Sequence, residues 1–147
     1  MPKIEKHEIG QILMLLLRDF QQRLDRDLAA QGFPGIRQRH RAVFTYLDRH
    51  GASRSVDLAA AAGIRPQSMM KVVHELEQLG LVQRSADPED SRAKLIAFTA
   101  AGDNLIRELT ASTVAVWEQY AQVLGPAELQ ATIDSLGKLT TADTGRM

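Results

Sequence analysis

The sequence predicts a mainly α-helical fold carrying one small β-hairpin. Three observations lead there. Apolar residues recur at i, i+3 and i+4 over most of the chain, the period of an amphipathic helix. Two short apolar runs, Leu81-Val82 and Leu95-Ile96-Ala97-Phe98, interrupt that period and flank Asp87-Pro88-Glu89-Asp90. Proline fixes φ and Asp side chains bond nearby amides, so the flanked segment is a turn and the whole a hairpin. Gly32, Gly51, Gly63, Gly80 and Gly125 each close a helical stretch, as a residue free to adopt positive φ does. An isolated hairpin is marginal in water, so this one must pack on the helices and leave its tip projecting.

The first helix runs from His7 to Ala30, with Ile9, Ile12, Leu13, Leu16, Leu17, Phe20, Leu24 and Leu28 on one stripe. At about six turns it is twice the usual length. One small domain cannot cover such a stripe, which points to a subunit interface rather than a core face alone. A second helix, Ile36 to His50, carries His40, Val43, Phe44 and Leu47 on one side. Arg37, Arg39 and Arg41 crowd its start, against the helix dipole. They read either as a solvated basic face or as contacts to phosphate or a partner. Ser55 is expected to cap a short helix, Val56 to Ala62. Pro66 suits the first position of the next, which runs to Leu79 with Met69, Val72, Val73, Leu76 and Leu79 inward. Short helix, Gly-containing turn and second helix make a helix–turn–helix. After the hairpin, Thr99 caps a long helix to Leu124, whose stripe includes Leu105, Leu109, Val116, Trp117, Tyr120 and Val123. Gly125-Pro126 breaks it and opens a last helix with Leu129, Ile133, Leu136 and Leu139. Residues 140–147 carry no pattern and are expected to fray.

The order of elements is therefore a winged helix–turn–helix lobe over residues 36–98, set in a helical dimerisation region formed by 1–35 and 99–147. The two parts form one continuous compact fold. At 147 residues and 44% apolar the chain can bury a core, and disorder is unexpected. It has no cysteine, which removes disulfides, thiolate zinc sites and thiol redox sensing. The apolar run Ile12 to Leu17 is far short of the roughly 20 residues that span a bilayer, and no cleavage site follows it, so the cytoplasm is the expected location. Net charge is zero, but it is unevenly placed. From Ile36 to Thr99 ten bases meet seven acids, a net +3, and the flanks carry the balancing −3. A basic centre between acidic ends fits a lobe that meets nucleic acid.

Gly80-Leu81-Val82, Asp87-Pro88-Glu89-Asp90-Ser91-Arg92 and Phe98-Thr99-Ala100-Ala101-Gly102 resemble the MarR family of bacterial transcription regulators. That family's pattern is Asp-Pro-x-Asp-x-Arg followed by Leu-Thr-x-x-Gly. Phe98 stands in place of the usual Leu, and Ser91 where many members have a second arginine. The resemblance extends from Ile9 to Leu139. It implies a homodimer held by the first and last two helices, a recognition helix in the major groove and a wing arginine in the minor groove. By position Arg92 is that arginine and Asp90 the carboxylate that orients it. It also implies a repressor of inverted-repeat operators, released by a small aromatic or apolar ligand between the dimer helices and the DNA-binding lobe. Arg65 occupies a position where a capping Ser or Thr is more usual.

The candidate DNA-binding residues are thus Arg65, Gln67, Ser68 and Lys71 at the start of the recognition helix, with Arg92 and Asp90 in the wing. The first four fall off the apolar stripe, and recognition helices touch base edges from their early turns. Arginine suits the narrow, negative minor groove. Each has a plainer reading: Asp90 and Arg92 as a surface ion pair, Lys71 as a solvated lysine. His40, on an apolar face, reads as a satisfied core histidine before an effector contact, and Trp117 with Tyr120 as packing. The four histidines lack ligand spacing. No Gly-x-Ser-x-Gly, phosphate loop or His-Glu-x-x-His is present, so neither an enzyme nor a cofactor is expected. The rivals to a DNA-binding regulator are a protein-binding winged helix of the same fold and, behind it, an enzyme with an unrecognised site.

Overall fold

The computed structural model describes residues 1–142. Among them are six α-helices and one hairpin: α1 Ile9–Ala30, α2 Gln38–His50, α3 Ser55–Ala62, α4 Pro66–Gln78, β1 Val82–Asp87, β2 Asp90–Phe98, α5 Ala100–Leu124 and α6 Pro126–Thr141. A 3-10 turn at Lys6–Glu8 precedes α1. The mainly helical fold with a β-hairpin wing is the one the periodicity predicts.

The local chemistry explains most boundaries. Pro66 is the first residue of α4, where its missing N–H costs nothing. Gly63 ends α3 in the left-handed conformation, at φ 68°. The Thr99 hydroxyl accepts from the Gly102 N–H and donates to the Gly80 carbonyl, at 3.1 and 2.6 Å, so one side chain caps α5 and ties it to the foot of the wing. Ser55 departs from expectation. It is the first residue inside α3, Arg54 holds the capping position, and no side chain caps the helix there. The terminal segment departs too: Thr140 and Thr141 are helical, and 143–147 lie outside the described residues.

One hydrophobic cluster joins the elements. Leu28 of α1, Phe44 of α2, Leu58 of α3, Met69 and Leu76 of α4, Ile96 of β2 and Leu105 of α5 are all buried in it. Phe98 stacks on Phe44 with ring centroids 5.5 Å apart, so the aromatic replacement in the motif is used in packing. The antiparallel strands pair from Val82↔Phe98 to Asp87↔Asp90, with a register shift between Ala86 and Asp87. Ser53 adds a bridge to the open edge of β2, exchanging backbone bonds of 3.0 and 2.8 Å with Ile96.

The expected inward stripes are only partly covered. Leu79 is 54% exposed because α4 has ended and the chain has turned toward the wing. In α1 only Leu24 and Leu28 are buried, whereas Ile9, Leu13, Leu16 and Leu17 remain open, as do Val123, Ile133 and Leu139 on α5 and α6. Arg37 and Arg39 stay in solvent, at 52% and 51% exposed, as a solvated basic face would have them, but the three do not form a free basic patch. Arg41 is buried and bonds Asp25 of α1, Arg37 lies 4.0 Å from the same carboxylate, and Arg39 meets Glu75 of α4 at 3.2 Å.

Candidate nucleic-acid interface

The orientation of α4, the helix expected to read DNA, is set by its buried side. Met69, Val72, Val73 and Leu76 are buried, which turns Gln67, Ser68, Lys71 and His74 outward. Arg65, at the capping position in extended backbone, is exposed beside them. The four residues expected on this helix therefore share one exposed face at its positive N-terminal end, the end that suits an anion.

His40 fixes the same helix from behind. It is 2% exposed; its Nδ1 accepts from the Arg37 N–H at 3.0 Å, so Nε2 carries the proton and donates to Glu75 at 2.6 Å. Burial holds the imidazole below its ordinary pKa, and the bond from His40 holds the Glu75 carboxyl below its own. His40 is thus the satisfied core histidine its position on α2 suggests, and it links α2 to α4.

The wing stands beside α3 and α4. Arg92 and Lys94 are exposed on β2 and make no ion pair among the described residues. They border a groove of about 370 Å³ lined also by Arg54, Ser55, Met70 and Arg84. Asp90 has a different partner from the one expected. Its Oδ1 accepts from the Arg92 backbone N–H at 3.0 Å, two residues on in an Asx turn, rather than from the guanidinium. The ion pair of the turn belongs to Asp87, which receives Arg54 Nε and Nη2 at 2.8 and 2.6 Å and the Glu89 N–H at 2.9 Å. The Glu89 amide first, and then the Arg54 guanidinium, hold this carboxyl below the ordinary range. At the foot of the wing Arg84 bonds Glu77 of α4 at 2.5 and 2.6 Å.

Sequence reasoning missed Arg54, Arg84 and Lys94. Arg54 and Asp87 are separated by 33 residues, and no local pattern announces a pair at that distance. Lys94 could have been found from strand alternation with Arg92, since residues two apart share a face.

Two further hollows lie away from this surface. A cavity of about 720 Å³ between α1, α2 and α5 is lined by Phe20, Leu24, Arg41, Tyr46, Ile106 and Leu109, among others. The Arg41 Nη2 is buried without a hydrogen-bond partner among the described residues. An apolar groove of about 590 Å³ runs between α1, α5 and α6, past Leu13, Leu17, Trp117, Leu129, Ile133 and Leu136. No helix among the described residues is long and apolar enough to cross a membrane.

Comparison with known proteins places this geometry. Residues 32–93 match the model of the MarR family. Uncharacterized proteins of Mycobacterium tuberculosis and Mycobacterium bovis are 29% identical over 84 residues, 57% of this chain. That match spans 59% of the length of these curated relatives. A solved MarR-family transcriptional regulator from Rhodococcus sp. RHA1 is 25% identical with a TM-score of 0.76, over 95% of this chain and 97% of its own. CouR from Rhodococcus jostii RHA1, solved bound to p-coumaroyl-CoA, is 27% identical with a TM-score of 0.72, over 91% of this chain and 92% of its own.

Proposed function

We propose that this chain, whose residues 32–93 match the MarR family model, is a dimeric, non-enzymatic repressor of that family that binds inverted-repeat DNA in the cytoplasm. The observation that carries this is the exposed face of Arg65, Gln67, Ser68 and Lys71 beside the uncommitted Arg92 and Lys94 of the wing. The helix face would enter the major groove and read bases. Arg92 would enter the adjacent minor groove, where negative potential is concentrated but sequence information is poor. Asp90 would hold the Arg92 backbone rather than touch DNA. Residues 1–35 and 99–147 supply the dimerisation region. The occupant that fits the open apolar faces of α1, α5 and α6 is a second copy of the chain. Twofold symmetry then sets two recognition helices roughly 34–36 Å apart, one turn of DNA.

The cavity between α1, α2 and α5 lies between the dimer helices and the DNA-binding lobe, and there a small aromatic or apolar effector would bind. A ligand that prefers lobes at the wrong spacing for DNA shifts the dimer away from its operator. One similar protein, CouR, is known with p-coumaroyl-CoA bound, which supports an effector role without fixing its identity here.

Selection of duplexes from a random pool tests the proposal. It should return an inverted repeat whose affinity falls with salt at a log–log slope of about −0.9 per phosphate neutralised. Arg92→Ala should weaken binding to every operator, most of all those with A·T-rich flanks. Changes at Arg65, Gln67 or Ser68 should alter which base is preferred. Failure to recover any duplex, or indifference to Arg92→Ala on both kinds of flank, would favour a protein-binding winged helix instead.

A further inference from the structure

We infer that Arg54 is a positioning residue of the wing: it does not grip DNA but fixes where Arg92 stands relative to the recognition helix. The inference rests on the DNA-binding reading above. Arg54 sits at the N-terminus of α3, and both its Nε and Nη2 reach one oxygen of Asp87, at 2.8 and 2.6 Å. Asp87 is only 7% exposed, and its other oxygen accepts the Glu89 N–H. One register position across the turn, Asp90 holds the Arg92 N–H. A continuous series of bonds therefore leads from α3, through the turn, to the backbone of Arg92. Ser53, next to Arg54, anchors the C-terminal half of β2 through Ile96.

A DNA phosphate could claim Arg54 only by leaving a largely buried carboxylate without its cation, and breaking such a pair is strongly unfavourable. Arg54 thus stays on Asp87 when DNA arrives. A two-stranded hairpin has little stability of its own. Tied in this way, its tip loses less freedom on binding, and that smaller loss appears as affinity.

The test measures binding of the duplex recovered by selection to the wild type, Arg54→Gln, Asp87→Asn, Arg92→Ala and the double variant Arg54→Gln/Arg92→Ala. Arg54→Gln should weaken binding roughly tenfold. Asp87→Asn keeps an acceptor for Glu89, so it preserves the turn yet should weaken binding to a similar extent. The double variant should bind no more weakly than Arg92→Ala alone, because both changes remove one contribution. Hydrogen exchange should quicken at the amides of residues 87–92 in Arg54→Gln while α2 and α4 stay protected. A direct phosphate contact by Arg54 would overturn the inference: Asp87→Asn would then bind as well as wild type or better, and the losses in the double variant would multiply. If Arg54→Gln does not fold, Arg54→Lys replaces it, with partial retention of affinity and the same equality in the double variant. Wild-type binding that Arg92→Ala weakens and Arg54→Gln leaves intact removes the positioning role alone. Absence of any wild-type binding removes the DNA-binding reading and this inference together.

Discussion

Gly102→Ala should destabilise the protein although alanine is the better helix former. Gly102 lies in the first turn of α5, where its N–H is bonded to Thr99. A Cβ at this position would stand 2.0 Å from the Leu81 carbonyl oxygen and 3.0 Å from Phe98 Cδ1. Ordinary contact needs roughly 3.5 Å, so α5 and the foot of the wing must part by on the order of 1.5 Å. The obstacle is backbone, which cannot swing aside as a flexible side chain would. Leu81 O also accepts the Thr99 N–H at 3.1 Å, and parting strains that bond as well. Alanine in a helix gains about 1 kcal/mol over glycine. Overpacking at a contact this close costs about 1–3 kcal/mol or more. A backbone contact at 2.0 Å takes the upper end of that range, so the balance is a net loss of about 2 kcal/mol, or a fall of roughly 4–8 °C in melting temperature for a chain of this size. Thermal unfolding followed by circular dichroism, at one fixed protein concentration, measures it. A melting temperature equal to or above wild type would refute the reasoning, since helix propensity would then have outweighed the clash.

Other outcomes follow from different parts of the molecule. Leu17→Glu, on the open face of α1, should weaken self-association by about 2–3 kcal/mol through burial of an unpaired charge; sedimentation equilibrium would show monomer, and an unchanged mass would exclude this face from the interface. Stability should fall as pH drops. Burial holds His40 below 6.5, so the unfolded chain takes up that proton first and gains as pH falls through 6.5. The carboxylate of Glu75, held below 4.5, withdraws its contribution as pH falls further through its own lowered range. Denaturant midpoints that stay level from pH 7 to about 5 would contradict the His40 assignment, and midpoints that stay level as pH falls below 4.5 would contradict that of Glu75. Burial, followed by its bond to Asp19 at 2.7 Å, pushes Tyr120 up to about 12. A tyrosinate absorbance step near 12 should therefore vanish in Tyr120→Phe. Persistence of that step would assign it elsewhere.

Local rules made most of the architecture legible. Helical periodicity located the helices, Gly63 and Pro66 bounded the turn of the helix–turn–helix, Thr99 announced the cap of α5, and Asp87-Pro88 the turn of the hairpin. Each depends on groups within a few residues of one another, so the chain states them directly. The outward face of Arg65, Gln67, Ser68 and Lys71 was legible for the same reason, because burying Met69, Val72, Val73 and Leu76 leaves that face no other direction.

What the sequence could not decide is which charge meets which. The adjacent Asp90 and Arg92 invited pairing, yet Asp90 takes a backbone amide and Asp87 takes Arg54 from another element. The basic cluster at the start of α2 read either as a solvated face or as contacts to an outside partner, yet Arg41 and Arg39 are met by carboxylates of α1 and α4. Ser55 had the chemistry of a cap, but the backbone enters α3 one residue earlier. An ion pair needs only a few ångströms between its ends, and the chain path that brings them there leaves no mark at either residue. Sequence by itself determined the elements and the exposed face of the recognition helix. Only the tertiary structure decided which basic residues are paired within the molecule and which, such as Arg92 and Lys94, make no ion pair among the described residues.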